Sequence, residues 1–200
     1  VLQADAIKLA IEAHRRNKGF CWGSLYWQLN NCWPVSSDSS IDYEGNWKAL
    51  HYTVKKGFKN TLVSGYIHGD TLDVHLVNDH LRPEKGSLRV EVMTMDGKLV
   101  SSCQTKASVP ANSSKMLIRL SVGEILKDLS AQDAYVRFIY EDAQKNRYAN
   151  LRFFANQKDV RFLRPEMNLE VADKGEYKEV TVVSDVFARA VYLSVEGCGL

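Results

Sequence analysis

Six aromatic residues and several amides lie in residues 25–52, and they are the side chains here that could do chemistry. The segment reads LYWQLNNCWPVSSDSSIDYEGNWKALHY. The flat C–H face of a pyranose packs on an aromatic ring, and its hydroxyls need fixed polar partners. The pattern is therefore of the kind that a sugar-binding site needs. The alternative is that the rings are core residues, because buried tryptophans usually serve packing.

The elements that would position these side chains are a helix, a strand, a loop and a second helix. Apolar residues at helical spacing, ending in a basic turn before Gly19, predict a helix over residues 2–16. The aromatic-rich run 20–28 predicts a strand, the turn residues of 29–46 predict a loop, and 47–58 predicts a helix. This order is typical of a parallel barrel or sheet.

The pattern changes near residue 60, where short strands replace helices. Leu88, Val90 and Val92 alternate with their neighbours, and Asp96-Gly97 predicts a hairpin turn. Seven strands are predicted at 61–68, 71–78, 87–94, 98–105, 114–120, 134–140 and 148–155, with one short helix at 122–129. Short strands at this spacing are typical of an immunoglobulin-like β-sandwich.

A further change follows Arg164-Pro165. Strand patterns occur at 168–172, 178–184 and 190–196. A segment of about 40 residues is too short for an independent core of this type. We therefore interpret the C-terminal residues as the start of a second sandwich that is cut off. The alternative is that these strands extend the first sandwich.

Composition and charge exclude several classes of function. The 200 residues are 45% hydrophobic and 25% charged, as in ordinary globular proteins, and the formal net charge is +2. Because the basic residues are scattered, nothing argues for nucleic acid or an anionic membrane as a partner. No run of about 18 apolar residues predicts a membrane span, and no signal peptide is visible at Val1. A start without Met suggests a fragment or a processed product.

Cysteines, histidines and aspartates show no metal-site spacing. The four cysteines are Cys21, Cys32, Cys103 and Cys198, and no two of them form a C-x-x-C pair. We expect them to be buried free thiols. The other candidate metal ligands do not have the spacing of a zinc or calcium site. They are His68, His75, His80, Asp70, Asp73 and Asp79. We therefore expect no metal and no other cofactor.

Residues 27–52 closely resemble the last barrel strand, and the loop and helix after it, of the β-mannosidases of glycoside hydrolase family two. The matching residues are Trp27-Gln28-Leu29-Asn30, Cys32-Trp33-Pro34-Val35, Ser39-Ser40-Ile41-Asp42-Tyr43, Gly45 and Trp47-Lys48-Ala49-Leu50-His51-Tyr52. The resemblance implies a mainly β chain: residues 1–58 as the last α-β-α piece of a TIM barrel, 59–158 as an immunoglobulin-like β-sandwich, and 159–200 as the truncated start of a second one.

The resemblance implies a parent enzyme that is a retaining exo-β-mannosidase acting on terminal β-D-mannose of glycans. In that family the two catalytic carboxylates are glutamates on earlier barrel strands, one of them after an Asn, and this chain has no Asn-Glu pair. We expect no catalytic residue and no turnover by this segment alone, and we expect contact with a missing N-terminal catalytic domain. Sites in such barrels lie at the carboxyl ends of the strands, so the resemblance implies that the candidate sugar contacts are Trp27, Gln28, Asn30, Asn31 and Trp33. Trp27 resembles the tryptophan that forms a floor or wall for the sugar. Asn31 and Asp38 stand where many members have Asp and Trp, which leaves the sugar preference open.

A second hypothesis is non-catalytic. The sandwich would be a scaffold or carbohydrate-binding module of another family-two glycosidase, of the β-galactosidase or β-glucuronidase type. The compartment cannot be read from this sequence, although the resemblance is compatible with a secreted, periplasmic or lysosomal parent.

Overall fold

Two helices that pack on each other form the N-terminal part of the molecule. In the computed structural model, which describes residues 1–193, α1 spans Leu2–Arg16 and α2 spans Ala49–Gly57. Both predicted helices are confirmed, although α2 begins after Lys48, whose backbone is extended. The helices share a small core made of Ala4, Ile11, Leu50 and Val54.

Residues 20–28 do not form the predicted strand. None of them is in a strand, and the side chains of Phe20 and Leu25 are fully open to solvent. The prediction was wrong because a strand inside a parallel sheet needs hydrogen-bonded neighbours on both sides. None of the strands within residues 1–193 lies beside this segment.

Two antiparallel sheets form the predicted β-sandwich. Its strands are β1 (Thr61–His68), β2 (Thr71–Asn78), β3 (Glu84–Thr94), β4 (Leu99–Val109), β5 (Ser113–Ser121), β6 (Ala134–Asp142) and β7 (Arg147–Phe153). The strand order is β1-β2-β5 in one sheet and β4-β3-β6-β7 in the other. All seven predicted strands are confirmed. The β3–β4 hairpin is longer than predicted because its backbone pairing continues to Glu84 opposite Val109.

The core of the sandwich lies between the facing sides of the two sheets. Leu88, Val90 and Val92 are buried there, as the alternation in the sequence predicts. Gly65 on β1 lies under the ring of Phe138 on β6, and a Cβ at position 65 would overlap that ring. The close approach of this strand to the opposite sheet therefore requires glycine. The rest of the core includes Val63, Leu72, Val74, Leu76, Ala107, Val109, Ala134, Val136 and Tyr140.

A short helix, α3 (Val122–Leu126), links β5 to β6. The Ser121 hydroxyl accepts a hydrogen bond from the N–H of Glu124 at 3.3 Å and caps the helix start. The helix ends earlier than predicted because Lys127 adopts a positive φ of 56°.

The C-terminal part forms a separate two-stranded sheet of β8 (Met167–Asp173) and β9 (Lys178–Ser184). Every residue of β8 is exposed. The predicted third strand is not present at residues 190–193, and the remainder of it lies outside the described residues. The segment after this hairpin packs on the first sandwich through Phe187, whose ring centre lies 4.5 Å from that of Tyr135.

None of the helices described is long and apolar enough to cross a bilayer.

Candidate sugar-facing site

Short backbone pairings tie the candidate segment to the start of α2. Asn30 bridges Ile41 in parallel fashion, and Ile41 bridges Trp47 in antiparallel fashion. The N–H of Ser40 donates to the carbonyl oxygen of Gln28 at 2.9 Å. These contacts bring the end of the predicted strand, the predicted loop and the second helix to one place.

Ser40 is the buried centre of this arrangement. Its hydroxyl donates to the carbonyl oxygen of Leu29 at 2.9 Å and lies 2.9 Å from the hydroxyl of Tyr26. It also lies 3.1 Å from Nδ1 of His51 on α2. Tyr26 and His51 are thus held as structural partners of the loop.

Asn31 is buried, and its hydrogen bonds go to its own loop. Its side-chain amide donates to the carbonyl oxygen of Val35 at 3.1 Å, and its oxygen accepts from the Ser37 hydroxyl. Lys48 Nζ reinforces the loop by donating to the Ser37 carbonyl and the Ser39 hydroxyl, each at 3.1 Å. The buried Asn31 side chain therefore stabilises the conformation of this loop.

The other candidates are more open to solvent. The side chains of Trp27 and Trp33 are 79% and 68% exposed, Asn30 is exposed, and Gln28 is half-buried. The peptide bond between Trp27 and Gln28 is cis. The Asn30 side-chain amide donates to the Asn31 carbonyl at 3.3 Å. Each of the two rings is open to solvent and can stack on a sugar, and the Asn30 side chain can hydrogen-bond to one.

Asp42 is a carboxylate that the segment holds in a fixed turn. It accepts hydrogen bonds from the N–H groups of Glu44 at 3.0 Å and Asn46 at 2.8 Å, and from the Asn46 side chain. The bonds from Asn46 lower the pKa of Asp42, so the group stays ionised and serves as an acceptor for the turn.

A buried ion cluster that the sequence reasoning missed joins α1 to the sandwich. Glu12 is 1% exposed; its carboxylate lies 3.1 Å from Lys8 Nζ and accepts from the Ser64 hydroxyl at 2.8 Å and the Asn150 amide at 2.9 Å. Burial raises the pKa of Glu12, but the charge of Lys8 and the Asn150 hydrogen bond outweigh it, so the pKa is lowered. The i,i+4 spacing of Lys8, Glu12 and Arg16 was the available signal.

Side chains also close the gap between β1 and β7. The Asn150 amide donates to the Val63 carbonyl at 2.9 Å, and Arg152 Nε donates to the Gly65 carbonyl at 3.0 Å. These bonds satisfy carbonyls on the open edge of β1 without a strand ladder. The two sheets of the sandwich are therefore joined at this edge by polar side chains.

The three cysteines that the structure describes form no disulfide with one another. Cys21, Cys32 and Cys103 are free thiols, as expected, but the expectation of burial was wrong. Cys32 is exposed because its loop faces solvent, the other two are half-buried, and Cys198 lies outside the described residues. No group of three metal-ligating side chains occurs within residues 1–193.

Comparison with known proteins shows which proteins this chain is similar to. Residues 70–159 match the family model described as "Mannosidase Ig/CBM-like domain". The chain is 30% identical over 209 residues to a β-mannosidase of Capra hircus, covering 98% of this chain and 24% of that protein. It is 35% identical over 106 residues to β-mannosidase A of Aspergillus terreus, covering 50% of this chain and 11% of that protein. The chain thus matches about a quarter or less of the length of these curated relatives.

Solved structures agree with the sequence matches. The crystal structure of the β-D-mannosidase from Dictyoglomus thermophilum superposes with a TM-score of 0.85 and 30% identity, covering 96% of this chain and 24% of that one. The exo-chitosanase of Amycolatopsis orientalis superposes with a TM-score of 0.69 at 15% identity, which shows a shared fold. Residues 70–159 therefore match a mannosidase Ig/CBM-like domain, and nearly the whole chain is similar to one part of the β-mannosidases.

Proposed function

We propose that this chain is the C-terminal portion of a retaining exo-β-mannosidase that removes terminal β-D-mannose from glycans. The observation that carries the proposal is the exposed ring of Trp27, on a segment that resembles the β-mannosidases and that backbone pairing ties to the start of α2. In this proposal residues 1–58 complete a catalytic barrel, 59–158 form the sandwich that supports it, and 159–200 begin a second sandwich.

Each candidate residue has a distinct role in the proposed site. Trp27 packs its ring on the mannose, and Trp33 contributes a second wall. Gln28 and Asn30 hold hydroxyls or orient neighbouring groups. Asn31 acts indirectly, because its amide is committed to the loop through Val35 and Ser37. No residue of this chain is given the role of nucleophile or acid/base.

The proposal includes the absence of turnover by the 200 residues alone. Glycoside hydrolysis with retention needs two carboxyl groups about 5 Å apart. Glu12 is buried and paired with Lys8, and Asp42 is committed to its turn, so neither is available for that chemistry. The partner domain that supplies the two glutamates would contact the exposed rings of this chain.

The decisive experiment joins this chain to the N-terminal three quarters of the Dictyoglomus thermophilum enzyme, at the start of the structural match. We expect the hybrid to hydrolyse an aryl β-mannoside and the 200 residues alone to be inactive. Trp27→Ala in the hybrid should lower kcat/KM about tenfold or more, roughly 1.4 kcal/mol of lost stacking. Tyr177→Ala, which removes an exposed ring from the turn between β8 and β9, is the matched control. Equal activity of the two variants, or turnover by the chain alone, would refute the proposal.

A second candidate is glycan binding by the sandwich itself, which the Ig/CBM-like description of the family model favours. The geometry offers glycan binding little support. Tyr135 and Tyr140 are buried, Tyr148 is half-buried, and Tyr66 alone among the tyrosines of the sandwich is exposed. Tyr66 is moreover covered on one side by Arg16, 5.1 Å from its ring centre. Retention of the chain on immobilised mannan, lost in Tyr66→Ala, would favour this role.

A further inference from the structure

The turn between β4 and β5 contains an N-linked glycosylation motif. Asn112-Ser113-Ser114 fits N-x-S with a middle residue other than proline, and none of the other asparagines in the sequence stands in such a motif. A three-residue motif often arises by chance, so its geometry must decide whether it has a use.

The acceptor side chain is accessible. Asn112 is exposed and has a positive φ of 49°, a conformation that asparagine tolerates better than most residues. Its backbone N–H donates to the His80 carbonyl at 2.9 Å, which fixes the turn. Among the hydrogen bonds of residues 1–193, none uses the Asn112 side-chain amide. A bulky group on that nitrogen would therefore displace no contact of the fold.

The third residue of the motif is not explained by the fold. The Ser114 hydroxyl is buried on β5 and has no hydrogen-bond partner in the part of the chain that the structure describes. A buried unpaired polar group costs about 1–3 kcal/mol, and alanine would avoid that cost. The Ser113 hydroxyl, in contrast, donates to the Pro110 carbonyl at 2.9 Å. Recognition of the motif by an enzyme that acts on the unfolded chain would account for the Ser114 hydroxyl.

From these observations we propose that Asn112 carries an N-linked glycan and that Ser114 is its recognition residue. The glycosyl donor is an oligosaccharide linked through its anomeric carbon to a lipid diphosphate. The side-chain nitrogen of Asn112 bonds to that carbon, the C–O bond to the diphosphate breaks, and the lipid diphosphate leaves with the electron pair. The amide nitrogen gives up one proton to a base of the transferase, and nothing is oxidised or reduced.

The glycan would also cover an apolar side chain. Asn112 is hydrogen-bonded to the residue before Leu81, and Leu81 is 92% exposed. A sugar chain rising from this turn would shield Leu81 from other proteins without occupying the candidate sugar-facing site.

The test is expression of the full 200-residue chain behind a cleavable secretion signal in a eukaryotic cell line. Digestion with peptide N-glycosidase should lower the mass and convert Asn112 to aspartate. Asn112→Gln and Ser114→Ala should each abolish the mass shift. Ser114→Thr, which keeps the hydroxyl, and Ser113→Ala, which removes the neighbouring one, should both preserve it.

Two controls make a negative result decisive. Asp128→Asn in the Asn112→Gln background creates an acceptor motif with Leu129 and Ser130 on another exposed turn, and it reports whether the chain met the transferase. A glycan on that variant but none on the original chain would overturn the proposal. Ser114→Ala, produced in bacteria, should melt at the same or a higher temperature than the original; a clear loss of stability would show that the fold needs this hydroxyl and would remove the argument.

Discussion

At the scale of single residues, Glu12 carries the contact between the helices and the sandwich. It is a fully buried carboxylate on α1 that binds Lys8 from its own helix and Ser64 and Asn150 from β1 and β7. Removing one partner of a buried ion cluster is costly because the remaining charges lose their compensation.

Glu12→Gln should lower the free energy of unfolding by about 3 kcal/mol, since it leaves buried cations without their counter-charge. Arg16 and Arg152 lie 3.8 and 3.6 Å from the carboxylate and would be affected together with Lys8. Urea unfolding measures the effect. Glu170→Gln on the exposed strand β8 removes the same charge without burial and should change little; equal losses in both variants would contradict the assigned role.

Stability should also depend on acid pH. Arg119 hydrogen-bonds to Asp73 and lowers its pKa, and the pKa of Glu12 is lowered as well. A carboxyl with a folded-state pKa below its unfolded-state value of about 4 stabilises the fold above that value and loses this contribution as pH falls through the folded-state pKa. The unfolding free energy should therefore fall from about pH 5 downward. Glu12→Gln should make the decline shallower, whereas a flat profile to pH 3 would contradict the assignment.

At the scale of elements, the strands and helices differ in how far each can form alone. Helices α1 and α2 satisfy their own backbone. Most sandwich strands pair in the hairpins β1–β2, β3–β4 and β6–β7, whereas β5 pairs with the more distant β2. Residues 20–28 have the composition of a strand, but their backbone can pair only with strands from elsewhere. The strand prediction failed there, while the helix and hairpin predictions held.

The packing of β1 against the opposite sheet gives a prediction for one position. Gly65→Ala places a methyl group into the ring of Phe138, and overpacking of this kind costs about 1–3 kcal/mol. Gly23→Ala is the matched control, because a Cβ there meets open space. The melting temperature should be clearly lower for Gly65→Ala and unchanged for Gly23→Ala. An unchanged melting temperature for Gly65→Ala would mean that the two sheets are further apart than described.

At the scale of the whole molecule, the region before α2 leaves large apolar side chains uncovered. Exposed apolar patches of this kind mark surfaces that are covered by another protein or domain. The side chains concerned are Phe20, Trp22, Leu25, Trp27, Leu29 and Trp33.

The isolated chain should therefore self-associate as its concentration rises. Replacing Phe20 and Leu25 together with serine should shift the sedimentation profile toward the monomer, because it removes two of the most exposed apolar groups. Leu81→Ser changes a similarly exposed leucine on the sandwich and should have little effect. A monomer at all concentrations, or an equal response to Leu81→Ser, would contradict this role of the N-terminal segment.

The sequence by itself determined the helices, the sandwich strands and the segment that resembles a sugar site. These features depend on local periodicity, turn residues and the identity of a few rings. Only the tertiary structure decided that Glu12 is the centre of a buried ion cluster with partners on two strands, and that Gly65 underlies Phe138. The physical reason is that burial and charge pairing arise between residues far apart in the chain, so spacing along the sequence does not encode them.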